Sequence, residues 1–207
     1  MPESPVPTDV RSRILQEALH LFAARGYDGV PIEEIARAAG VTRPTLVYHF
    51  GSKAELREKV LEALLGRWRD ELPALLQAAT TGSDRFRSTF DALAGFFCAD
   101  PARARLLLRE MLDRPDEMAA LFRLHLQPWT ELVIDYVRRG QEEGRIRAAL
   151  DPEAYAVQIL NAMIVTAGNG HRTSEILRDP PDEARQLAEL RRIARTRLFN
   201  DRPPEGG

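Results

Sequence analysis

The chain has 207 residues, of which 44% are hydrophobic and 29% charged, and a formal net charge of −2. That is the balance of a folded globular chain, with room for one large domain or for a small head on a larger body. It excludes a disulfide-stapled scaffold, because Cys98 is the only cysteine, and a membrane-spanning chain, because no apolar run reaches the eighteen or so residues that a span needs.

Residues 1–7 include three prolines and read as a disordered arm. Arg13 interrupts a signal-peptide reading, so a cytoplasmic location is expected. A first helix follows, with Thr8 as its cap and Ile14, Ala18, Leu21 and Phe22 as its inward stripe; Gly26 ends it. Ile32, Ile35, Ala36 and Ala39 then give a second, short helix with one narrow apolar face. Gly40 follows where a left-handed residue ends a helix. Thr42 caps a third helix whose first turn holds Pro44 and whose outward face is Arg43, Thr45, Tyr48 and His49. Two short helices around a tight turn, the second with such a face, are the layout of a DNA-reading helix-turn-helix. Leu46 and Phe50 belong to the core. Gly51 ends the third helix, and Ser52 with Glu55 forms a capping box: the serine oxygen accepts from the Glu55 amide, and the glutamate reaches back to the Ser52 amide. The open amides at that helix start, with Lys53 beside them, suit a phosphate.

Charge alone does not make this head a DNA binder. Through residue 60, eight Lys or Arg balance eight Asp or Glu. The reading rests on placement: Arg43 and Lys53 on the reading surface, with Glu33, Glu34 and Glu58 elsewhere.

Residues 10–56 resemble the N-terminal domain of the TetR (tetracycline-repressor-type) family of bacterial regulators. The resemblance is carried by RILQEALHLFAARGYDGV, then IEEIARAAGVTRPTL, then YHFGSKAEL, in which glycine, hydroxyl cap, aromatic pair and lysine keep their relative positions. It implies an all-helical homodimer that binds a palindromic double-stranded operator and is released by a small-molecule effector. Members usually carry a phosphate-touching tyrosine where this chain has Val47, which leaves Tyr48 or His49 to supply that contact. They also commonly cap the second helix with Thr or Ser, where this chain has Pro31, which has no side-chain oxygen to offer.

The fourth helix runs from Ser52 to about residue 79 despite Gly66 and Pro73, and links head to body. Body helices are expected at roughly 84–99, 102–113, 116–143, 152–177 and 182–199, with Pro128 kinking the third of these. Asp100-Pro101 and Asp151-Pro152 are starts, with Asp as cap and Pro at the first helical position. Cys98, in the apolar run LAGFFC, reads as a small buried hydrophobe. The stretch RRGQEEGRIRAALDPEAYAVQILNAMIVTAG is similar to the junction before the dimerisation helix in the same family.

A largely apolar effector site is expected between body helices. Its candidate lining is Phe90, Phe96, Phe97, Met111, Phe122, Trp129, Tyr155 and Met163, with His125 and Asn161 as orienting polar groups. Trp129 and His125, four apart, share a helix face. Arg103, Arg105 and Arg109 are available to an anionic ligand. Two stripes read as a self-association surface: Ile159, Leu160, Met163, Ile164 and Ala167, with Gly168 and Gly170 permitting close approach, and Leu187, Leu190, Ile193, Ala194 and Leu198. The four histidines lack metal-ligand spacing, no nucleophile elbow or phosphate loop occurs, and no catalytic residue, metal or cofactor is expected.

These readings combine into an all-α fold. An N-terminal three-helix helix-turn-helix domain, residues 1–56, is joined by a long helix to a C-terminal helical ligand-binding and dimerisation domain, residues 57–207. The expected function is a ligand-responsive repressor that sets its 42–50 helices in two major grooves about 34–36 Å apart or a multiple. Arg43 reads guanine, Thr45 meets a thymine methyl or a phosphate, Pro44 stiffens the helix start and meets a thymine methyl, and Thr42, Tyr48, His49 and Lys53 hold phosphates. The alternative is a helical ligand-binding or protein-interaction module with a vestigial head, supported by Val47 and the neutral charge of the head.

Overall fold

Three short apolar stripes at helical spacing close on one another at the N-terminal end. A computed structural model describes residues 9–78, 82–179 and 181–200, with side chains described outside 67–85 and 170–174. Helices α1 (Val10–Arg25), α2 (Ile32–Ala38) and α3 (Arg43–Phe50) bring Ile14, Ala18, Phe22, Ile35 and Leu46 together without solvent exposure. Asp9 precedes α1 without a side-chain capping bond, and the expected cap Thr8 lies outside the described residues. Gly40 turns the chain from α2 to α3 at a φ of 65°, which glycine adopts without steric cost. Thr42 caps α3 by accepting from the Thr45 amide at 3.3 Å, and Pro44 sits in the first turn, where its missing amide hydrogen costs nothing.

Helix α4 (Lys53–Ala78) runs through Gly66 and Pro73, as expected. Its start differs in one bond. The Ser52 hydroxyl accepts from the Glu55 amide at 3.1 Å, but the Glu55 carboxylate accepts a hydrogen bond from that hydroxyl at 3.0 Å. The Ser52 amide is already spent on the Phe50 carbonyl at 2.8 Å.

The body comprises α5 (Gly82–Cys98), α6 (Pro101–Asp113), α7 (Pro115–His125), α8 (Gln127–Glu142), α9 (Pro152–Ser174) and α10 (Glu183–Leu198). Among the described residues there is no strand, only a single bridge between Ile146 and Phe199. Asp100 caps α6 through the Ala102 amide at 3.0 Å, and Asp151 caps α9 through the Ala154 amide at 2.9 Å, as their Asp-Pro pairs foretold. The long helix expected over 116–143 is instead two helices that break at Leu126. Pro128 lacks an amide hydrogen and its ring collides with the carbonyl four residues earlier, so the chain restarts there with Pro128 in the first turn of α8.

Helix α6 lies at the centre, packed on α1 on one side and on α9 on the other. Gly168 makes the α9 contact possible: a Cβ there would stand 2.9 Å from Leu108 Cδ1 and 3.3 Å from Ala104. The close approach foreseen at Gly168 is thus made inside the subunit; the surroundings of Gly170 lie outside the described residues.

Polar bonds fasten α6 to the head. Arg109 donates to the Ala23 and Ala24 carbonyls at 2.9 and 3.0 Å, filling acceptors that the C-terminus of α1 leaves open. His20 meets the α6 cap Asp100 at 3.0 Å. Arg57 of α4 donates from Nε to Glu110 at 2.8 Å and from Nη1 to Glu117 at 2.7 Å. Its side chain is 8% exposed and that of Glu110 2%, whereas Glu117 is largely in solvent. Burial alone would lower the Arg57 pKa, but the bonds to Glu110 and Glu117 outweigh it and hold the guanidinium above the ordinary arginine value. Replacing Glu110 by alanine leaves a buried cation short of its main partner and should cost about 3 kcal/mol or more, whereas Glu117→Ala should cost less than about 1 kcal/mol. Equilibrium urea denaturation of the two variants checks the difference.

Candidate functional site

On α3, which packs on α2 and α4, Leu46 and Phe50 are buried in the core of the head, and this fixes which side faces out. Tyr48 is 85% exposed, so its ring does not pack on the first helix; Arg43 and Pro44 are also exposed, and Thr45 and His49 are half-buried. Tyr48 and His49 contact edge to face with centroids 5.4 Å apart, giving one aromatic ridge at the end of the helix. Thr42 has its hydroxyl 2.9 Å from that of Thr45, so cap and reading face are one bonded unit. Val47, in the usual tyrosine position, is 38% exposed and offers no polar group.

Glu33 departs from the expectation that the acids of the head lie elsewhere. It pairs with Arg43 at 3.1 Å, and both groups are more than half exposed. Such a pair is worth at most about 1 kcal/mol, so it parks the guanidinium without locking it. Lys53 stands 4.2 Å from the Tyr27 ring centroid, which holds its ammonium beside the N-terminus of α4. Arg11 lies over the Phe50 ring at 5.4 Å, a cation at the edge of the reading helix that nothing in the sequence pattern singled out. Neither cation–π contact was legible, because both depend on how α1 and the turn after it cross the other helices.

In the body, a cavity opens between α5, α8 and α9 with roughly 700 Å³ of space unfilled by atoms, its solvent-open mouth included. Trp129, Tyr155 and Met163 line it, together with Phe90. The other candidates do not. Phe97 is wholly buried in the main core, and Met111 and Phe122 pack against that core away from the cavity. Phe96 holds the Arg103 guanidinium over its ring at 4.6 Å. Asn161 points out of the subunit. His125 is separated from Trp129 by the break at Leu126, which ends their shared helix face, and it borders a polar cleft with Arg11, Lys59 and Glu62 instead. Sequence spacing missed Phe86, Thr89, Val133 and Tyr136, which join the lining because α5 and α8 converge there.

The three arginines offered to an anion are spent on carbonyls. Arg103 donates to Phe96 at 2.7 Å, Arg105 to Gly168 at 3.2 Å and Arg109 to the end of α1. Cys98, expected inside, is exposed at the end of α5. Partial shelter of its sulfur, with the Glu183 carboxylate beside it, pushes the thiol up to about 11, which keeps it an unreactive thiol near neutral pH.

The self-association stripes also face inward. Met163, Ile164, Ala167, Leu187, Ala194 and Leu198 are buried within the subunit, and Ile159, Leu160 and Leu190 are half-buried against its core. Of the named residues only Ile193 stands 45% exposed. The outward side of α9 carries Val157, Asn161 and Val165, spaced four apart, with both valines about half exposed. The apolar band was read correctly as a band, but the core claimed it.

The sequence pattern of bacterial regulatory proteins of the TetR family matches residues 14–60, and that of the tetracyclin repressor-like C-terminal domain matches residues 83–196. The chain is 30% identical over 139 residues to the transcriptional activator FasR of Mycolicibacterium smegmatis, a match over 66% of this chain and 64% of that protein. It is 31% identical over 137 residues to the regulator TcmR of Streptomyces glaucescens, over 66% of this chain and 56% of that one. Both matches therefore span less than two thirds of the relative. In three dimensions it superposes on the ketosteroid transcriptional regulator KstR2 of Mycobacterium tuberculosis with a TM-score of 0.74, at 19% identity over 96% and 99% of the two chains. The fatty acid degradation regulator FadR of Bacillus halodurans gives 0.73 at 18% identity, over 94% and 96%.

Proposed function

The chain belongs to the TetR family of bacterial regulatory proteins, and from that premise we propose that it is a ligand-responsive transcriptional regulator that binds a palindromic operator as a homodimer. The observation that carries the reading is the division of α3: Leu46 and Phe50 anchor it in the head while Arg43, Pro44, Thr45, Tyr48 and His49 present one outward face. Arg43 is the base reader, since its planar fork matches guanine O6 and N7, and the exposed Glu33 can release it. Thr42, Tyr48, His49 and Lys53 hold the backbone. Residues 1–56 act as the DNA head and 57–207 as the ligand-binding and dimerising body, and α4 crosses from one to the other. The effector is a largely apolar small molecule held in the α5–α8–α9 cavity. The protein is a cytoplasmic binder of DNA rather than an enzyme; no helix among the described residues is long and apolar enough to cross a membrane.

A packed path supports a ligand switch. The cavity borders α9, α9 rests on α6 at Gly168, and α6 is bonded to α1 through Arg109 and to α4 through Glu110 and Arg57. An effector that fits one setting of α9 better than another biases the separation of two heads by its differential affinity and no more. Repression is our reading; activation is a second one, favoured by the activator function that the name of FasR states.

Selection of random duplex DNA by the purified protein tests the reading. A palindrome with twofold spacing is expected, and recovery of no motif by an intact dimer would overturn it. On the selected operator, Arg43→Ala should cost about 1–3 kcal/mol and relax one base position. Lys53→Ala should weaken all sequences alike and reduce the slope of affinity against salt by about one unit, as read from titrations at several salt concentrations. We take the outward face of α9, with Val157 and Val165, as the dimer contact, so Val165→Arg should shift the protein from dimer to monomer in sedimentation while its helical circular dichroism is kept, because across a twofold contact the new charge faces its own copy.

A further inference from the structure

The cavity between α5, α8 and α9 contains two polar atoms that the fold leaves unserved. Trp129 Nε1 and Thr89 Oγ1 are both buried, and neither has a hydrogen-bond partner. Trp129 is 94% buried, at 6% exposure. An indole N–H so placed normally finds an acceptor, because leaving it bare forfeits what water would have supplied. The other hydroxyls of the described lining, on Tyr136 and Tyr155, do not meet it. The neighbours are Phe90, Tyr136, Tyr155 and Met163 with aliphatic side chains between them, and no Asp, Glu, Lys, Arg or His is among the described lining residues. The Tyr155 hydroxyl is already donated to the Ala194 carbonyl at 2.9 Å, and burial pushes its phenol up, so it stays neutral.

Building on the regulator reading, we propose that the effector is an uncharged, mostly apolar molecule carrying a carbonyl oxygen, which accepts from Trp129 Nε1 and is approached by the Thr89 hydroxyl. A carboxylate would enter without a counter-ion among the described lining residues and lose its hydration with little return; an ammonium would find aromatic faces but no carboxylate, and would leave the indole N–H without an acceptor. A ketone, ester or amide loses far less, and recovers it in the bond that the indole is short of. Trp129 then selects for an acceptor, since it can only donate, while Thr89 tolerates a second polar group of either kind.

Isothermal titration of the full chain with four naphthalene probes tests this. 2-Acetylnaphthalene carries the acceptor, 2-ethylnaphthalene lacks it, 2-naphthoate is anionic, and (2-naphthylmethyl)trimethylammonium is cationic. The ketone should bind at least about tenfold more tightly than either ion. Thr89→Val keeps shape and removes the hydroxyl, and Trp129→Phe removes the indole N–H together with some ring volume, whose effect the ethylnaphthalene control reads. Loss of about three- to tenfold in ketone affinity in at least one of them, with ethylnaphthalene unchanged, carries the proposal. The ligand-free Thr89→Val protein should be no less stable than the parent, because it loses an unpaired buried hydroxyl; clear destabilisation would mark that hydroxyl as structural and count against the proposal. Tighter binding of the carboxylate or the ammonium, ketone binding by both variants equal to that of the parent, or no binding of any probe overturns it. Operator selection separates this result from the broader reading. A recovered palindrome without ketone binding sinks only the effector class, and ketone binding without a palindrome sinks the regulator.

Discussion

Arg57 and Glu110 are charges taken out of water, on two helices that the chain separates by more than fifty residues. Neither can stay buried without the other, so α4 and α6 are held to one register. The same helix α6 fills the open carbonyls of α1 through Arg109 and lies against α9 at Gly168. Head, connecting helix and body cavity are therefore not loosely strung units. A displacement of α9 has to be absorbed at the α6 contacts or passed on to α1 and α4; α4 packs directly on the reading helix, and α1 reaches it through α2.

The reading face itself is held lightly. Arg43 is paired only by an exposed Glu33, Lys53 rests on the Tyr27 ring, and Tyr48 stands in solvent. Each group has a partner weak enough to be exchanged for a base or a phosphate, as the proposed reading of DNA requires. Anchoring and presentation are divided by residue: Leu46 and Phe50 provide rigidity, and their neighbours remain free to engage. The intact core of the head and its family match speak against a vestigial reading, although Val47 leaves the usual tyrosine position without a polar group.

The body follows a different economy. Its arginines at 103, 105 and 109 look like ligand groups in sequence but serve carbonyls of neighbouring helices. Its densest apolar band, on α9, packs inward, leaving Val157 and Val165 to the outer side. The cavity remains where α5, α8 and α9 fail to fill the space between them, and two buried polar atoms on its lining have no partner.

The head was readable because its information is local. A glycine that must turn left at position 40, a hydroxyl that caps at Thr42 and apolar residues three and four apart specify helices and the inward side of each within a few residues. The Asp-Pro starts of α6 and α9 were readable for the same reason. Pro128 was seen but its strength was not: whether a proline kinks or breaks a helix depends on the packing available to the freed turn, and here the chain breaks at Leu126. Site membership in the body was not local at all. Which aromatics line a cavity and which disappear into the core, as Phe97 does, is decided by the crossing of helices from distant parts of the chain. So is the pairing of Arg57 with Glu110. Sequence by itself determined the all-helical architecture and the face of the reading helix, because periodicity and capping act over single turns. Tertiary structure alone decided the cavity, the outward face of α9 and the junction that couples them, because those depend on contacts between residues that the sequence keeps far apart.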